Sequence, residues 1–214
     1  MSVVSRLHLV TDAGVLEGED FFDRASEALE AGEGKVTLHL RGPKMSGRAL
    51  WELGSRLLPL ARARSVPLMV NDRVDLARVL GAAGAHLGAR SLPVSMAREV
   101  LGPEALVGRS FHDPSDARSA VLEEGKPDFC FAGTLFPTQS HPGAEGSGPS
   151  RVREVAGAVP GVPVLGIGGV EISRIAAVMD AGAYGVAVLR AVWGSEEPGE
   201  AVTALLDRLS GWTG

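Results

Sequence analysis

PVLGIGGVEISRIAAVMDAGAYGVAVLRAV, from Pro163 to Val192, is the stretch whose reading decides the fold. It opens on a short apolar run that ends in glycines, Gly166 to Gly169. From Glu171 apolar residues recur at helical spacing until Gly182 stops the pattern. A second apolar run follows from Gly185 to Val192. Two nearly continuous apolar runs joined by a helix are what a parallel sheet covered by helices requires. An open doubly wound sheet would carry its glycine-rich phosphate loop after an early strand. Here the glycines lie late in the chain, after what proves to be the seventh run. A closed barrel uses that position for phosphate.

Working outward from this stretch, the same unit repeats. The earlier apolar runs are Leu7 to Asp12, Val36 to Arg41, Pro67 to Asp72, Ala85 to Gly88, Leu106 to Ser110 and Phe129 to Gly133. Helical patterns separate them. One ends at Gly32. The next starts at Ser46 and contains Pro59, a residue that can kink or split a helix. A third begins near Arg73 and closes on Gly84, and a short fourth begins at Val94. The fifth has Asp113 as N-cap, Pro114 in its first turn and Gly125 as its stop. Arg151 to Val159 is the sixth, and GEAVTALLDRLSG is the last. Eight such units in 214 residues predict one (β/α)8 TIM barrel domain over residues 1–214.

Composition limits the function. There are 21 Lys+Arg against 26 Asp+Glu, so the formal charge of −5 gives no support to a nucleic-acid partner. No apolar stretch approaches the roughly 20 residues of a membrane span, and the N-terminal segment lacks the apolar core of a signal peptide. Cys130, the single cysteine, cannot form an internal disulfide. It is embedded in an apolar run and reads as a core residue. These features predict a cytoplasmic protein with neither nucleic-acid nor membrane partners.

In this fold, chemistry sits at the C-terminal ends of the strands. Glycine-rich Gly168 and Gly169, together with Leu189, Arg190 and Ala191 after the eighth strand, can aim backbone N–H groups at a phosphate. Arg41 and Lys44 follow the second strand; they are either anion or ring-substituent contacts or surface charges. Asn71 and Asp72 can hold a ring amine, a water or Mg²⁺, or form a turn that caps the next helix. Ser110 and His112 end the fifth strand, and His112 can carry a proton near neutral pH. His39 shares a strand face with Arg41, one layer deeper. His86, inside a very short strand, reads as a buried structural histidine. Gly133 to Ser150 is a long polar loop of the kind that closes over substrates, with Thr134, Thr138 and Ser140 offering hydroxyls.

The order and spacing of several motifs resemble the superfamily of thiamine phosphate synthase and the thiazole tautomerase TenI. They are LHLVTD near the start, HLR at His39 to Arg41, VNDRVDLA from Val70, GAHLG from Gly84, GRSFH from Gly108, FAGTLFPTQS from Phe131, PVLGIGGV from Pro163 and AGAYGVAVLRAV from Ala181. The resemblance covers nearly the whole chain. It implies a barrel enzyme of thiamine biosynthesis, a homodimer, acting on a phosphorylated thiazole.

The two branches differ in chemistry. The resemblance implies that synthases join a thiazole phosphate to hydroxymethylpyrimidine diphosphate with Mg²⁺, a transferase reaction. Their Gln-x-Arg-x-Lys is here His39-Leu40-Arg41, with Lys44 one place late. Their Asn-Asp-Asp is Asn71-Asp72-Arg73, and their Gly-Gln-x-Asp is Gly88-Ala89-Arg90-Ser91. Where their long loop has lysine, this chain has His141. Loss of a metal carboxylate and a cation, with the monophosphate glycines kept, points to the tautomerase branch, an isomerase that needs no cofactor. His112 and then His39 are its proton carriers, although Thr134 stands where a tautomerase has its catalytic histidine. The alternative is the synthase, with Asp72 on Mg²⁺. A further alternative is a non-catalytic barrel that only binds thiazole phosphate.

Overall fold

The computed structural model describes residues 4–138, 143 and 145–212. Eight parallel strands close into a barrel in sequence order: β1 Leu7–Val10, β2 Val36–Leu40, β3 Leu68–Asn71, β4 Gly84–Leu87, β5 Leu106–Phe111, β6 Phe129–Ala132, β7 Val164–Ile167 and β8 Gly185–Val188. Closure comes from β1 pairing with β8, with Leu7 opposite Val186 and Leu9 opposite Val188.

The helices are α1 Ala13–Leu16, α2 Phe21–Ala31, α3 Gly47–Ala63, α4 Val74–Leu80, α5 Val94–Leu101, α6 Pro114–Glu124, α7 Ser150–Ala158, α8 Ile175–Asp180, α9 Arg190–Trp193 and α10 Pro198–Ser210. Asp113 is the cap expected for α6, and Ser46, read as a helix start, proves to cap α3. Ser46 accepts from the Ala49 N–H and Asp113 from the Ser115 N–H. Pro59 neither ends nor splits α3. It stands on the exposed side of an unbroken helix whose other face buries Leu50, Leu57 and Ala61. Packing of that face outweighs the lost hydrogen bond.

Three boundaries differ from the sequence reading. The helix after β3 stops at Gly81, in the left-handed conformation, and Gly84 is already the first residue of β4. The seventh helical pattern is divided into a 3₁₀ turn, Ile172–Arg174, and α8. The eighth run ends as a strand at Val188, and Arg190–Trp193 turns into α9. The indole N–H of Trp193 donates to the Val10 carbonyl at 2.9 Å, so α9 is tied to the end of β1, the neighbour of β8.

Strand side chains alternate between two cores. Outward residues such as Leu7, Leu9, Leu38, Val70 and Val107 pack under the helices. Inward residues Val10, Met69, Leu106, Phe129, Phe131, Leu165 and Ala187 fill the barrel itself. Three histidines join them: His8, His39 and His86 are all at most 2% exposed and pack against Phe129 and Phe131. Gly108 makes room for this cluster; a Cβ there would lie 2.4 Å from the Phe129 ring and 2.5 Å from His86 Nδ1. Truncating Phe129 to Ala should empty the middle of this interior. The expected cost is about 3–5 kcal/mol in urea unfolding, and a loss under about 1 kcal/mol would mean the interior is not close-packed.

Candidate functional site

Above the inward layer the strand ends open into a cleft of 590 Å³. Val10, Phe131, Ile167 and Ala187 form an apolar floor, and polar groups from β2 to β8 converge on it. The positions of the predicted residues follow from strand alternation. Arg41 continues the inward face of β2, Asn71 that of β3, and Ser110 and His112 that of β5.

One end of the cleft is built by β7 and β8. Gly168 and Gly169 have φ of 95° and 63°, the region that favours glycine. A Cβ on Gly168 would lie 2.5 Å from Thr134 Cγ2, and one on Gly169 would lie 2.7 Å from the Pro137 carbonyl oxygen. The Gly169 carbonyl is turned away and accepts from Arg174 at 2.6 Å. Across from it, Leu189, Arg190 and Ala191 line the same end at the start of α9, where first-turn N–H groups have no partner within the helix. Arg190 adds a cation, held 3.6 Å from Asp12. Backbone donors and a guanidinium at one end of the cleft are groups that can hold a monophosphate. Thr134 and Thr138 flank it.

The other end is built by β2 to β5. The buried Thr11 hydroxyl donates to the carbonyls of His39 and Arg41 and accepts from the Arg41 N–H at 3.0 Å, which fixes the point where Arg41 leaves the barrel. Asp72, at φ 63°, does not cap α4. Its Oδ1 accepts from the Gly88 N–H at 2.9 Å and from the Ser91 hydroxyl. Arg73 points elsewhere, into a paired contact with Asp75 that lowers the Asp75 pKa. His86 bonds to Ser110 at 2.7 Å, while its Nδ1 has no hydrogen-bond partner among the described residues. A bare lone pair is the cheaper orphan, so Nε2–H donates to Ser110 Oγ and the Ser110 hydroxyl proton is left for the cleft. His112 Nδ1 lies 2.6 Å from the Gly133 carbonyl and must donate, so Nε2 of the neutral ring is its acceptor.

Not every expected residue arrives. His39 is fully buried beneath the cleft, bonded to His8 and Asn71, and lines no part of the opening. Burial lowers its pKa to about 4. Lys44 is exposed on the β2 loop and does not line the cleft. Ser140 and His141 lie outside the described residues. Conversely, His86 lines the cleft as well as being buried, and Gly88 and Glu171 line it without having been singled out. The short strand marked His86 as a buried histidine but could not show that its layer meets the opening. Glu171 was hidden because its residue type suited a helix start.

Family comparison agrees with this geometry. Residues 7–192 match the family model described as thiamine monophosphate synthase. The chain belongs to the thiamine monophosphate synthase family. It is 39% identical to thiamine-phosphate synthase of Haloarcula marismortui, over 93% of this chain and 94% of that protein. It is 36% identical to that of Desulfitobacterium hafniense, over 97% and 98% respectively. Among solved structures it resembles thiamine phosphate pyrophosphorylase from Pyrococcus furiosus, with a TM-score of 0.81, 30% identity, and coverage of 98% and 97%.

These matches overturn the tautomerase-branch expectation and, with it, the isomerase class. The proton-carrier roles of His112 and His39 belonged to that reaction and fall with it. The misreading has a physical source. Ser91 was counted as a lost carboxylate, but its hydroxyl sits on Asp72 and keeps an oxygen donor beside that group. No helix among the described residues is long and apolar enough to cross a membrane.

Two solution properties follow from the buried groups. An unfolded His39 binds its proton near pH 6.5, the folded one only near 4, so unfolding takes up a proton between those values. Stability therefore rises with pH across that window, by up to about 1.4 kcal/mol per pH unit for each such histidine. His8 and His86, also lowered by burial, act in the same direction. Urea titrations at pH 7, 6 and 5 should show this slope, and His39→Gln should reduce it. Burial also pushes the Cys130 thiol up to about 12, so iodoacetamide should label it only after unfolding; labelling of native protein at pH 8 would contradict its burial.

Proposed function

We propose that this protein is a thiamine-phosphate synthase, a transferase joining a thiazole phosphate to hydroxymethylpyrimidine diphosphate. The observation that carries the reading is end-to-end similarity, at 36–39% identity, to proteins of that name. It is supported by a cleft with a phosphate cradle at one end and a polar, carboxylate-bearing end opposite. Two substrates with anionic groups need two such ends.

The monophosphate of the thiazole takes the cradle of Gly168, Gly169, Leu189, Arg190 and Ala191, with Thr134 and Thr138 beside it. The diphosphate takes the opposite end, where Arg41 neutralises part of its charge. The thiazole nitrogen then attacks the pyrimidine methylene carbon. The C–N bond forms as the C–O bond to diphosphate breaks, and the bonding pair leaves on the diphosphate oxygen. Ser110 and His112 face the space between the two ends and fix the reacting groups by hydrogen bonding.

Mg²⁺ is commonly held by one or two carboxylates plus substrate phosphates. Asp72, with Ser91 on its Oδ1, fits that pattern. No group of three or more histidine, cysteine or carboxylate ligands is found among the described residues, so the ion's remaining ligands would be diphosphate oxygens and water. When bound, Mg²⁺ would offset charge on the departing diphosphate.

Purified protein should form thiamine phosphate and pyrophosphate from the two substrates, and EDTA should stop it. Asp72→Asn should lower kcat/KM by about 10²-fold or more while leaving the fold intact. Gly168→Val should instead raise KM for the thiazole phosphate, because its side chain meets Thr134. Undiminished turnover in EDTA, or none with Mg²⁺ present, would overturn the proposal.

A further inference from the structure

A buried line of polar atoms runs from the foot of the barrel to the floor of the cleft. The Ser5 carbonyl oxygen lies 3.0 Å from His8 Nε2, and His8 Nδ1 lies 2.9 Å from His39 Nε2. His39 Nδ1 then lies 3.1 Å from Asn71 Oδ1, and Asn71 lines the cleft beside Asp72. The two rings are 1% and 0% exposed and pack on Phe129 and Phe131.

Three contacts in a row are three hydrogen bonds only if three protons lie along them. A carbonyl oxygen supplies none and a neutral imidazole supplies one. With oxygen at both ends, two neutral rings leave the line one proton short. The missing proton comes from one of two sources. Either a ring is cationic, or the Asn71 amide is turned so that its NH₂ faces His39. Oxygen and nitrogen of an amide exchange places by a half-turn about the last side-chain bond. The bonds of the two rings go to Ser5, to each other and to Asn71, none to a carboxylate. Burial lowers the pKa of both rings, and their mutual repulsion lowers that of His8 further. A cation there is disfavoured.

The backbone carbonyl of Ser5 cannot turn, so the order of donors is set from that end. His8 Nε2–H donates to Ser5, His39 Nε2–H donates to His8 Nδ1, and Asn71 Nδ2–H donates to His39 Nδ1. We infer that His8 and His39 are positioning residues that hold the Asn71 amide in one orientation, its carbonyl oxygen towards the cleft, where it accepts a hydrogen bond from an N–H group of the substrate. On the functional reading above, that group is the ring amine of the pyrimidine. Selection of an amine-bearing ring then depends on two histidines that never touch it. A floor that presented NH₂ would favour a ring oxygen instead.

The test has two arms, so that failure of this inference and failure of the synthase reading are separable. In ¹⁵N-labelled full-length protein without substrate, NMR should find His39 neutral at pH 7, protonated at Nε2 and bare at Nδ1. In Asn71→Asp the carboxylate can only accept, so His39 should gain a proton at Nδ1. A wild-type His39 protonated at Nδ1, or one unchanged in Asn71→Asp, overturns the inference whatever the protein's activity. In the kinetic arm, His8→Leu removes the acceptor that orients His39. KM for the pyrimidine diphosphate should rise about 10–100-fold, with KM for the thiazole phosphate unchanged. His8→Gln, which can both donate and accept, should restore it and serves if His8→Leu does not fold. Equal pyrimidine KM in folded His8→Leu and wild type also overturns the inference. No turnover by the wild type removes the synthase reading alone and leaves the NMR arm to decide.

Discussion

Pairing of β1 with β8 is the constraint on which everything else depends. Residues about 180 positions apart, Leu7 and Val186, become neighbours in one ladder. Closure removes both sheet edges and divides every strand into an outward and an inward face. The outward face is conventional, apolar under helices. The inward face must fill a closed space with few residues per layer, and this chain fills it with Phe129, Phe131 and three histidine rings.

That choice of filling has consequences for the site. Aromatic rings pack as large flat bodies, and histidine rings do so while carrying two nitrogens each. A polar network can therefore run through the interior without breaking its packing. His39 ties Asn71 down from below, and His86 does the same for Ser110. Arg41 is fixed from the side by the Thr11 hydroxyl, and α9 is fastened to the end of β1 by the Trp193 bond to Val10. The residues that line the cleft are thus fastened to rigid strands, as binding groups must be if they are to meet a substrate in one geometry.

The two ends of the cleft differ in how the chain makes them. The β7–β8 end is a backbone device, resting on left-handed Gly168 and Gly169 and on the turn into α9. The β2–β5 end is a side-chain device, in which Asp72 is held by the Gly88 N–H and the Ser91 hydroxyl. A backbone device changes little when surface residues vary, whereas a side-chain device can exchange one oxygen donor for another. Reading Ser91 by residue type alone therefore missed that its hydroxyl is placed on Asp72.

The sequence by itself determined the eight strand–helix units, the helix start at Ser46, the cap at Asp113, the inward face shared by His39 and Arg41, and the run of glycines after β7. These are local: periodicity, cap chemistry and glycine placement act within a few residues. Only the tertiary structure decided that Lys44 stays outside the cleft, that His39 lies sealed beneath it, that His86 reaches its wall, and that Val188 is the last strand residue before α9. Each of these depends on the level at which a strand layer meets the barrel mouth. That level is set by the registers of all eight strands at once, a global property that no single segment encodes.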